Sequence, residues 1–176
     1  MSVFPSPARW LPDATPTLNK LIVTRAILDV GLLEEPPGSN HSPTIDRYLT
    51  AVGSPLGSAW CAAAVSAWFR DAGAAYPHSA AGSCAMWYEV GLDTGMLSHV
   101  PAPGCAVLYD FSGDGHADHM GVVVRTDPLI LSVEANTTLP RQIGNEREGV
   151  ACVLKLVDTT HVLSYFHPSP NGASLP

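Results

Sequence analysis

Residues 105–136 read CAVLYDFSGDGHADHMGVVVRTDPLILSVEAN and contain three short runs rich in β-branched and aromatic residues. The runs cover residues 105–110, 120–125 and 130–134. Turn-forming Gly, Asp, Ser and Pro separate them, and the Asp127-Pro128 pair suits a hairpin loop because proline is kept off the ladder. The stretch therefore predicts consecutive antiparallel strands.

The sequence on either side of this stretch shows that helices precede strands. Two further β-rich runs at 150–157 and 162–166 bring the predicted sheet to about five strands. Upstream, capping residues and helical spacing predict four helices: one from a Thr15 cap to Gly31, one from a Ser42 cap to Gly53, one over 61–71 that closes at Gly73, and one over 83–90. This segregation predicts an α+β fold, because a parallel sheet needs alternating strands and helices.

Composition limits the function classes that the chain can serve. Of 176 residues, 46% are hydrophobic and 14% are charged, and the net charge is −7. A basic stripe for nucleic acid is not expected, and no apolar run reaches the roughly 20 residues that span a bilayer. Residues 1–10 contain Pro5 and Pro7 and do not resemble a signal peptide, so we expect synthesis in the cytoplasm. We also expect one domain over 15–168, with loosely held tails at 1–14 and 169–176.

The four cysteines, Cys61, Cys84, Cys105 and Cys152, contain no C-x-x-C pair, so no structural metal is expected. In a reducing compartment all four would be free thiols. Delivery to an oxidising space could pair the three that are not predicted to be catalytic.

Two residues suit nucleophilic chemistry. Cys61 opens the predicted third helix, where the helix dipole and free N–H groups lower a thiol pKa and can bind an oxyanion. His119 begins a predicted strand and could serve as the base that accepts the Cys61 thiol proton. Taken alone, each has a simpler interpretation, as a buried small side chain and as a surface histidine.

The strand after the hairpin carries an unusually polar face. Ser132, Glu134 and Asn136 share it by alternation. If the hairpin loop lies at Asp127-Pro128, the residue numbers of two paired positions add up to about 255. Residue 119 then lies opposite 136, and residue 134 is its diagonal neighbour. A carboxylate and an amide would then approach the His119 imidazole and fix its tautomer.

Three motifs together resemble the CHAP family, the Cys/His-dependent amidohydrolases and peptidases related to NlpC/P60 peptidoglycan hydrolases. AWCAAAVSAWFRDAG (59–73) resembles the family's nucleophile helix, GDGHADHMGVV (113–123) its histidine motif and SVEAN (132–136) its acidic strand. They occur in the family's order, and PTIDRYL (43–49) resembles a segment that precedes the cysteine in some members.

The resemblance implies a papain-like α+β domain, with N-terminal helices packed on the C-terminal sheet. Cys61 would be the nucleophile, His119 the base and Glu134 the group that orients the imidazole, with Asn136 as support. No cofactor is implied. The Cys61 N–H is the natural oxyanion donor, and the second donor stays open, with Asn40 as one candidate.

Further residues are assigned to substrate or to the surface. We expect Trp60 to flank the cleft and His116 and Asp118 to contact substrate. A metal at His116, Asp118 and His119 is a weaker alternative, because a zinc-bound histidine could not also act as the base. The pair Glu34-Glu35 is expected on solvated surface.

The predicted substrate is bacterial peptidoglycan, cut at an amide of its peptide stem by a monomeric enzyme. A phage lysin and an injected antibacterial effector both suit such a domain, and an effector would have a dedicated immunity protein as partner. The alternative function is a cell-wall-binding or protein-interaction module that keeps the scaffold without turnover.

Overall fold

The computed structural model describes residues 11–138 and 149–170, and its helices mostly precede its strands. The helices are α1 (Thr17–Leu28), α2 (Pro43–Ala51), α3 (Cys61–Ala72) and α4 (Cys84–Thr94). The strands are β1 (Leu97–Ser98), β2 (Ala106–Tyr109), β3 (His119–Arg125), β4 (Leu131–Thr137), β5 (Ala151–Leu156) and β6 (Val162–Phe166). The predicted α+β arrangement is confirmed.

Helices α2 and α3 begin and end close to the residues that the sequence indicated, whereas α4 continues to Thr94, beyond the predicted end at residue 90. The Ser42 side chain accepts a hydrogen bond from the Ile45 N–H at the start of α2, and Gly73 ends α3 in a left-handed conformation with φ 78°. The start of α1 is a correction: the cap is Pro16, not Thr15, because Pro16 has an extended backbone with ψ 146°.

Helix α3 lies at the centre of the fold, and most of its side chains are buried. A half-buried carboxylate joins it to its neighbours: Asp29, which ends α1, accepts hydrogen bonds from Trp68 Nε1 at 2.7 Å and from Tyr48 Oη at 2.6 Å. Because Tyr48 belongs to α2, this one side chain links three helices. These contacts fix α3 against α1 and α2.

The six strands form one antiparallel sheet in the order β1-β6-β2-β3-β4-β5. In the β3–β4 hairpin, Gly121 pairs with Glu134 and Val123 with Ser132, which confirms the predicted register. The additional strand, β1, has two residues and was not predicted because so short a run shows no alternation.

The sheet has apolar side chains on both faces. Met120, Val122 and Val124 belong to the larger core, which also contains side chains of all four helices. Val123 belongs to a smaller cluster on the opposite face, together with Cys105, Val107, Tyr109, Val157 and Tyr165. Alternation along β3 places His119 on the same face as Val123.

The predicted tails lie largely outside the described residues, which begin at residue 11 and end at residue 170. In the parts that are described, Leu11 is buried and the Ser169 carbonyl accepts a hydrogen bond from the Ala75 N–H. Within residues 11–138 and 149–170, no helix is both long enough and apolar enough to cross a membrane.

Candidate active site

The site is built from the start of α3. Trp60 occupies the N-cap position and makes no side-chain capping bond, unlike the serines that cap α2 and α4. The first N–H groups of a helix have no intrahelical partner, so at α3 they remain available to an anion. Cys61 is the first helical residue, and the Ala62 N–H is among the groups that lower its thiol pKa.

Two sulfur atoms meet at this point, since Cys61 Sγ lies 3.5 Å from Cys84 Sγ, at the start of α4. The hydrogen bond with Cys84 is the largest influence that lowers the Cys61 pKa; burial opposes it, and His119 lowers the pKa further. The same hydrogen bond and burial raise the pKa of Cys84 well above its ordinary value. Cys84 therefore keeps its proton and donates it toward a Cys61 thiolate.

His119 is fully buried and couples the sulfur to a carboxylate. Its Nε2 lies 3.2 Å from Glu134 Oε2, and Nδ1, which has no hydrogen-bond partner within the described residues, is the ring nitrogen left for Cys61. Burial alone would lower the imidazole pKa, but the nearby Cys61 sulfur, together with the hydrogen bond and charge of Glu134, raises it to about 10. At neutral pH the arrangement favours an imidazolium paired with a thiolate.

Two aromatic rings lie beside the imidazole. The centroid of the Tyr109 ring is 5.8 Å from that of His119, and the centroid of Phe111 is 6.0 Å away. Tyr109 belongs to the smaller apolar cluster, so the imidazole is enclosed by that cluster on one side. This packing restricts the ring to one orientation, with the carboxylate at one nitrogen.

Glu134 is buried, yet its carboxylate is well supplied with donors. Tyr109 Oη donates to Oε1 at 2.8 Å, Ser132 Oγ donates to Oε1 at 2.7 Å, and Lys155 Nζ lies 3.5 Å from Oε2. Burial would raise its pKa, but His119, Lys155 and Ser132 lower it to about 2. The group is therefore a fixed negative charge behind the imidazole.

Gly121 makes room for this carboxylate. A Cβ at this position would lie 2.6 Å from Glu134 Cγ and 2.7 Å from the Val133 carbonyl oxygen. These distances are closer than van der Waals contact, so any larger residue would displace the glutamate. The glycine of the His119-Met120-Gly121 sequence thus allows the charge to approach the base.

Trp60 corrects one prediction. The side chain is fully buried and does not flank a cleft, because its Nε1 donates to Glu34 Oε1 at 3.0 Å. Glu34 was predicted on the surface and is instead 3% exposed, with Oε2 accepting the Asn40 N–H at 3.0 Å. Asn40 Nδ2 in turn donates to the Gly57 carbonyl, so this polar cluster shapes the loop that leads into Cys61.

The predicted pairing of Asn136 opposite His119 is a second correction. Asn136 is buried, but the paired residues of β3 and β4 end at Gly121–Glu134, and residue 136 is not paired with His119. The reason is its backbone, which has φ 55°, a left-handed conformation that asparagine tolerates better than most residues and that interrupts a ladder. Glu134 lies at Nε2 of the imidazole, and the supporting role of Asn136 stays a prediction.

The loop before His119 is organised by two aspartates. Asp110 accepts the backbone N–H groups of residues 113, 114 and 115, and Asp118 accepts those of Phe111 and Ser112. His116 is exposed, 3.9 Å from Glu89. The substrate contacts expected of His116 and Asp118 stay predictions. Among the described residues, no three His, Cys, Asp or Glu side chains cluster as a metal site would require.

A cavity of about 220 Å³ opens beside Glu134. Its other lining residues are Tyr109, Phe111, Lys155, Leu156, Asp158 and His161, so it adjoins the carboxylate and not the sulfur. Cys61 itself is 5% exposed. The cavity therefore lies at the acidic end of the site.

The structure places Glu134 at the His119 imidazole, as the predicted register implied, and Cys61 among the groups that shift the pKa of His119. It adds Cys84 at the sulfur and Tyr109 and Lys155 at the carboxylate, which the sequence did not indicate, and Ser132 of the predicted polar face donates to Glu134. No protein-family model, curated protein or solved structure matches this chain.

Proposed function

We propose that this protein is a cysteine-dependent amidohydrolase or peptidase. The observation that carries the proposal is that a buried carboxylate holds the His119 imidazole at 3.2 Å, while this imidazole lowers the pKa of the Cys61 thiol at the start of a helix. Covalent acyl transfer requires a nucleophile, a base and a group that orients the base, in this spatial order.

The reaction would start from the thiolate–imidazolium pair. Cys61 Sγ attacks the amide carbonyl carbon, and the charge that develops on oxygen is stabilised by the Cys61 N–H at the uncapped end of α3. As the C–N bond breaks, His119 gives the proton on Nδ1 to the leaving amine, and a thioester remains. Water then attacks the thioester while His119 accepts its proton, which releases the acid and restores the thiolate.

Glu134 acts by position and charge. Its carboxylate accepts the Nε2 hydrogen of the imidazole and so directs Nδ1 toward the sulfur. Because the pKa of Glu134 is held at about 2, the group stays ionised when the imidazole gains a proton. It is a positioning residue, since the imidazole lies between it and the reacting atoms.

Peptidoglycan is the proposed substrate, because the three motifs of the site resemble those of the CHAP hydrolases. The bond would be an amide of the peptide stem, either at the sugar–peptide junction or within the stem, since both cleavages use the same residues. The acidic balance, with a net charge of −7, argues against a nucleic-acid substrate. We expect a monomer that needs no cofactor and acts on the cell wall, as a lysin or as an effector with an immunity protein.

Digestion of purified sacculi tests the proposal. Wild-type protein should release muropeptides with a new free amine and a new carboxyl group, identified by mass spectrometry, and Cys61→Ala should release none. Cys105→Ala is the matched control, because it removes a buried thiol of the smaller apolar cluster. Equal product release by Cys61→Ala would overturn the assignment.

A non-catalytic wall-binding module is the second candidate, and low accessibility favours it. Cys61 is 5% exposed and His119 is fully buried, so little of the catalytic pair meets solvent. Under this function the protein would sediment with sacculi, Cys61→Ala would bind equally well, and no soluble fragment would appear.

A further inference from the structure

The pairing of two thiols at the nucleophile has a chemical consequence beyond hydrolysis. Cys61 Sγ and Cys84 Sγ are 3.5 Å apart, and a disulfide bond measures about 2.05 Å, so a shift of roughly 1.5 Å would join them. Each cysteine is the first residue of a helix, α3 or α4. The two sulfur atoms are therefore already in contact in the reduced protein.

The four cysteines differ in their ability to react. Cys61 and Cys84 are 5% and 8% exposed, and Cys61 has a lowered pKa, so it is the one poised as a thiolate. Cys105 and Cys152 are fully buried; desolvation raises the pKa of Cys105 to about 12 and that of Cys152 well above its ordinary value. A small oxidant would therefore react first at Cys61.

We propose that Cys61 and Cys84 form a reversible oxidation site for hydroperoxides, in which Cys84 is the resolving cysteine. The proposal rests on the proposed function, since it regulates the same sulfur that performs hydrolysis. The oxidised form would be an intrachain disulfide between the starts of α3 and α4.

The reaction balances in two steps. The Cys61 thiolate attacks one oxygen of the hydroperoxide and breaks the O–O bond; the sulfur becomes a sulfenic acid, and the oxidant leaves as an alcohol or as water after taking a proton. The Cys84 sulfur then attacks the Cys61 sulfur, a sulfur–sulfur bond forms, and hydroxide leaves with the Cys84 proton as water. Each disulfide consumes one hydroperoxide, and a dithiol reductant returns both thiols.

The disulfide would inactivate the enzyme and protect it. Cys61 would have no free sulfur to attack an amide, and it could not proceed to the sulfinic acid, which ordinary thiols do not reverse. The protein would thus be inactive under peroxide and regain activity on reduction.

Mass spectrometry of wild-type protein tests the site without any activity measurement. After stoichiometric hydrogen peroxide, free thiols are alkylated and the protein is digested; the expected result is a crosslinked peptide pair that contains residues 61 and 84 and disappears on dithiothreitol treatment. Recovery of Cys61 as sulfinic acid with Cys84 alkylated would overturn the proposal.

Variants separate the two roles of Cys84, as hydrogen-bond donor to Cys61 and as disulfide partner. Cys84→Ser keeps a donor for the thiolate but cannot form a disulfide, so excess hydrogen peroxide should carry its Cys61 beyond the sulfenic acid to the sulfinic acid, and dithiothreitol should not restore its activity. Under the same excess, the activity of peroxide-treated wild type should rise about tenfold or more on dithiothreitol treatment, and Cys105→Ala should behave as wild type. Full recovery of activity by Cys84→Ser after excess peroxide would sink the proposal.

The two proposals fail in different ways. A 61–84 crosslink in a protein whose reduced form cuts no wall would leave the oxidation site standing and remove the proposed hydrolase. Wall cleavage by the reduced protein without a 61–84 crosslink after peroxide would support the hydrolase and remove the oxidation site.

Discussion

Replacing Glu134 by glutamine changes one atom and should reverse the direction of one hydrogen bond. Tyr109 Oη and Ser132 Oγ both donate to Oε1, so the glutamine carbonyl oxygen must stay at that position to accept them. The amide nitrogen then occupies the place of Oε2, 3.2 Å from His119 Nε2. An amide donates there, so Nε2 must become the acceptor and Nδ1 must carry the hydrogen of a neutral ring.

The size of the effect follows from what is lost. In Glu134→Gln the neutral imidazole presents an N–H to Cys61 and cannot accept the thiol proton, and the imidazolium loses its charged partner. A hydrogen bond to a charged group contributes about 1.5–3 kcal/mol, and the unfavourable tautomer adds to that. A barrier raised by about 2–4 kcal/mol slows hydrolysis by roughly 30- to 1,000-fold.

The assay is the initial rate of muropeptide release at neutral pH by wild type and Glu134→Gln. Circular dichroism checks that the variant is folded. Glu89→Gln is the matched control, because it makes the same chemical change at an exposed residue beside His116. Glu134→Gln with the wild-type rate would refute the role of the carboxylate.

Further predictions concern pH, packing and the loop before the nucleophile. With increasing pH, kcat/KM should rise as the Cys61 thiol ionises, with a midpoint well below an ordinary thiol pKa, and should fall near pH 10 as His119 loses its proton. A rising limb with its midpoint at about pH 8.5, the ordinary thiol value, would contradict the ion pair. The pKa of His119 is about 10 in the folded protein and about 6.5 in the unfolded chain, so protonation of His119 stabilises the fold fully below pH 6.5 and this stabilisation is lost as the pH rises toward 10. The melting temperature of His119→Gln should therefore fall less at alkaline pH than that of wild type. Gly121→Ala should lower the free energy of unfolding by about 1–3 kcal/mol in denaturant titrations, since its Cβ would overlap Glu134; an unchanged midpoint would contradict the packing. Trp60→Phe should cost about 1–3 kcal/mol in the same titration, because it removes a donor from buried Glu34; wild-type stability would argue against that contact.

The parts of the fold that were predictable are those set by local chemistry. The Ser42 cap begins α2 through its side-chain hydrogen bond, and Gly73 ends α3 through its left-handed backbone. The register of the hairpin was also predictable, because the position of the Asp127-Pro128 loop fixes which residues pair. Glu134 could therefore be placed near His119 from the sequence alone.

The parts that were missed depend on contacts between distant segments. Cys84 and Cys61 meet because α3 and α4 begin at the same place in the fold, and nothing within either segment indicates that meeting. Glu34 is buried because Trp60 donates to it across 26 positions, which overrides the usual preference of glutamate for the surface. Asn136 left the predicted ladder because of its own backbone conformation.

The reactivity of Cys61 as a function of pH tests the central claim most directly. Iodoacetamide alkylation of this residue in wild type, followed by peptide mass spectrometry from acid to alkaline pH, should be fast at neutral pH with a midpoint well below the roughly 8.5 of an ordinary thiol, and His119→Ala should move that midpoint upward. A wild-type midpoint at the ordinary value, unchanged in His119→Ala, would contradict the account.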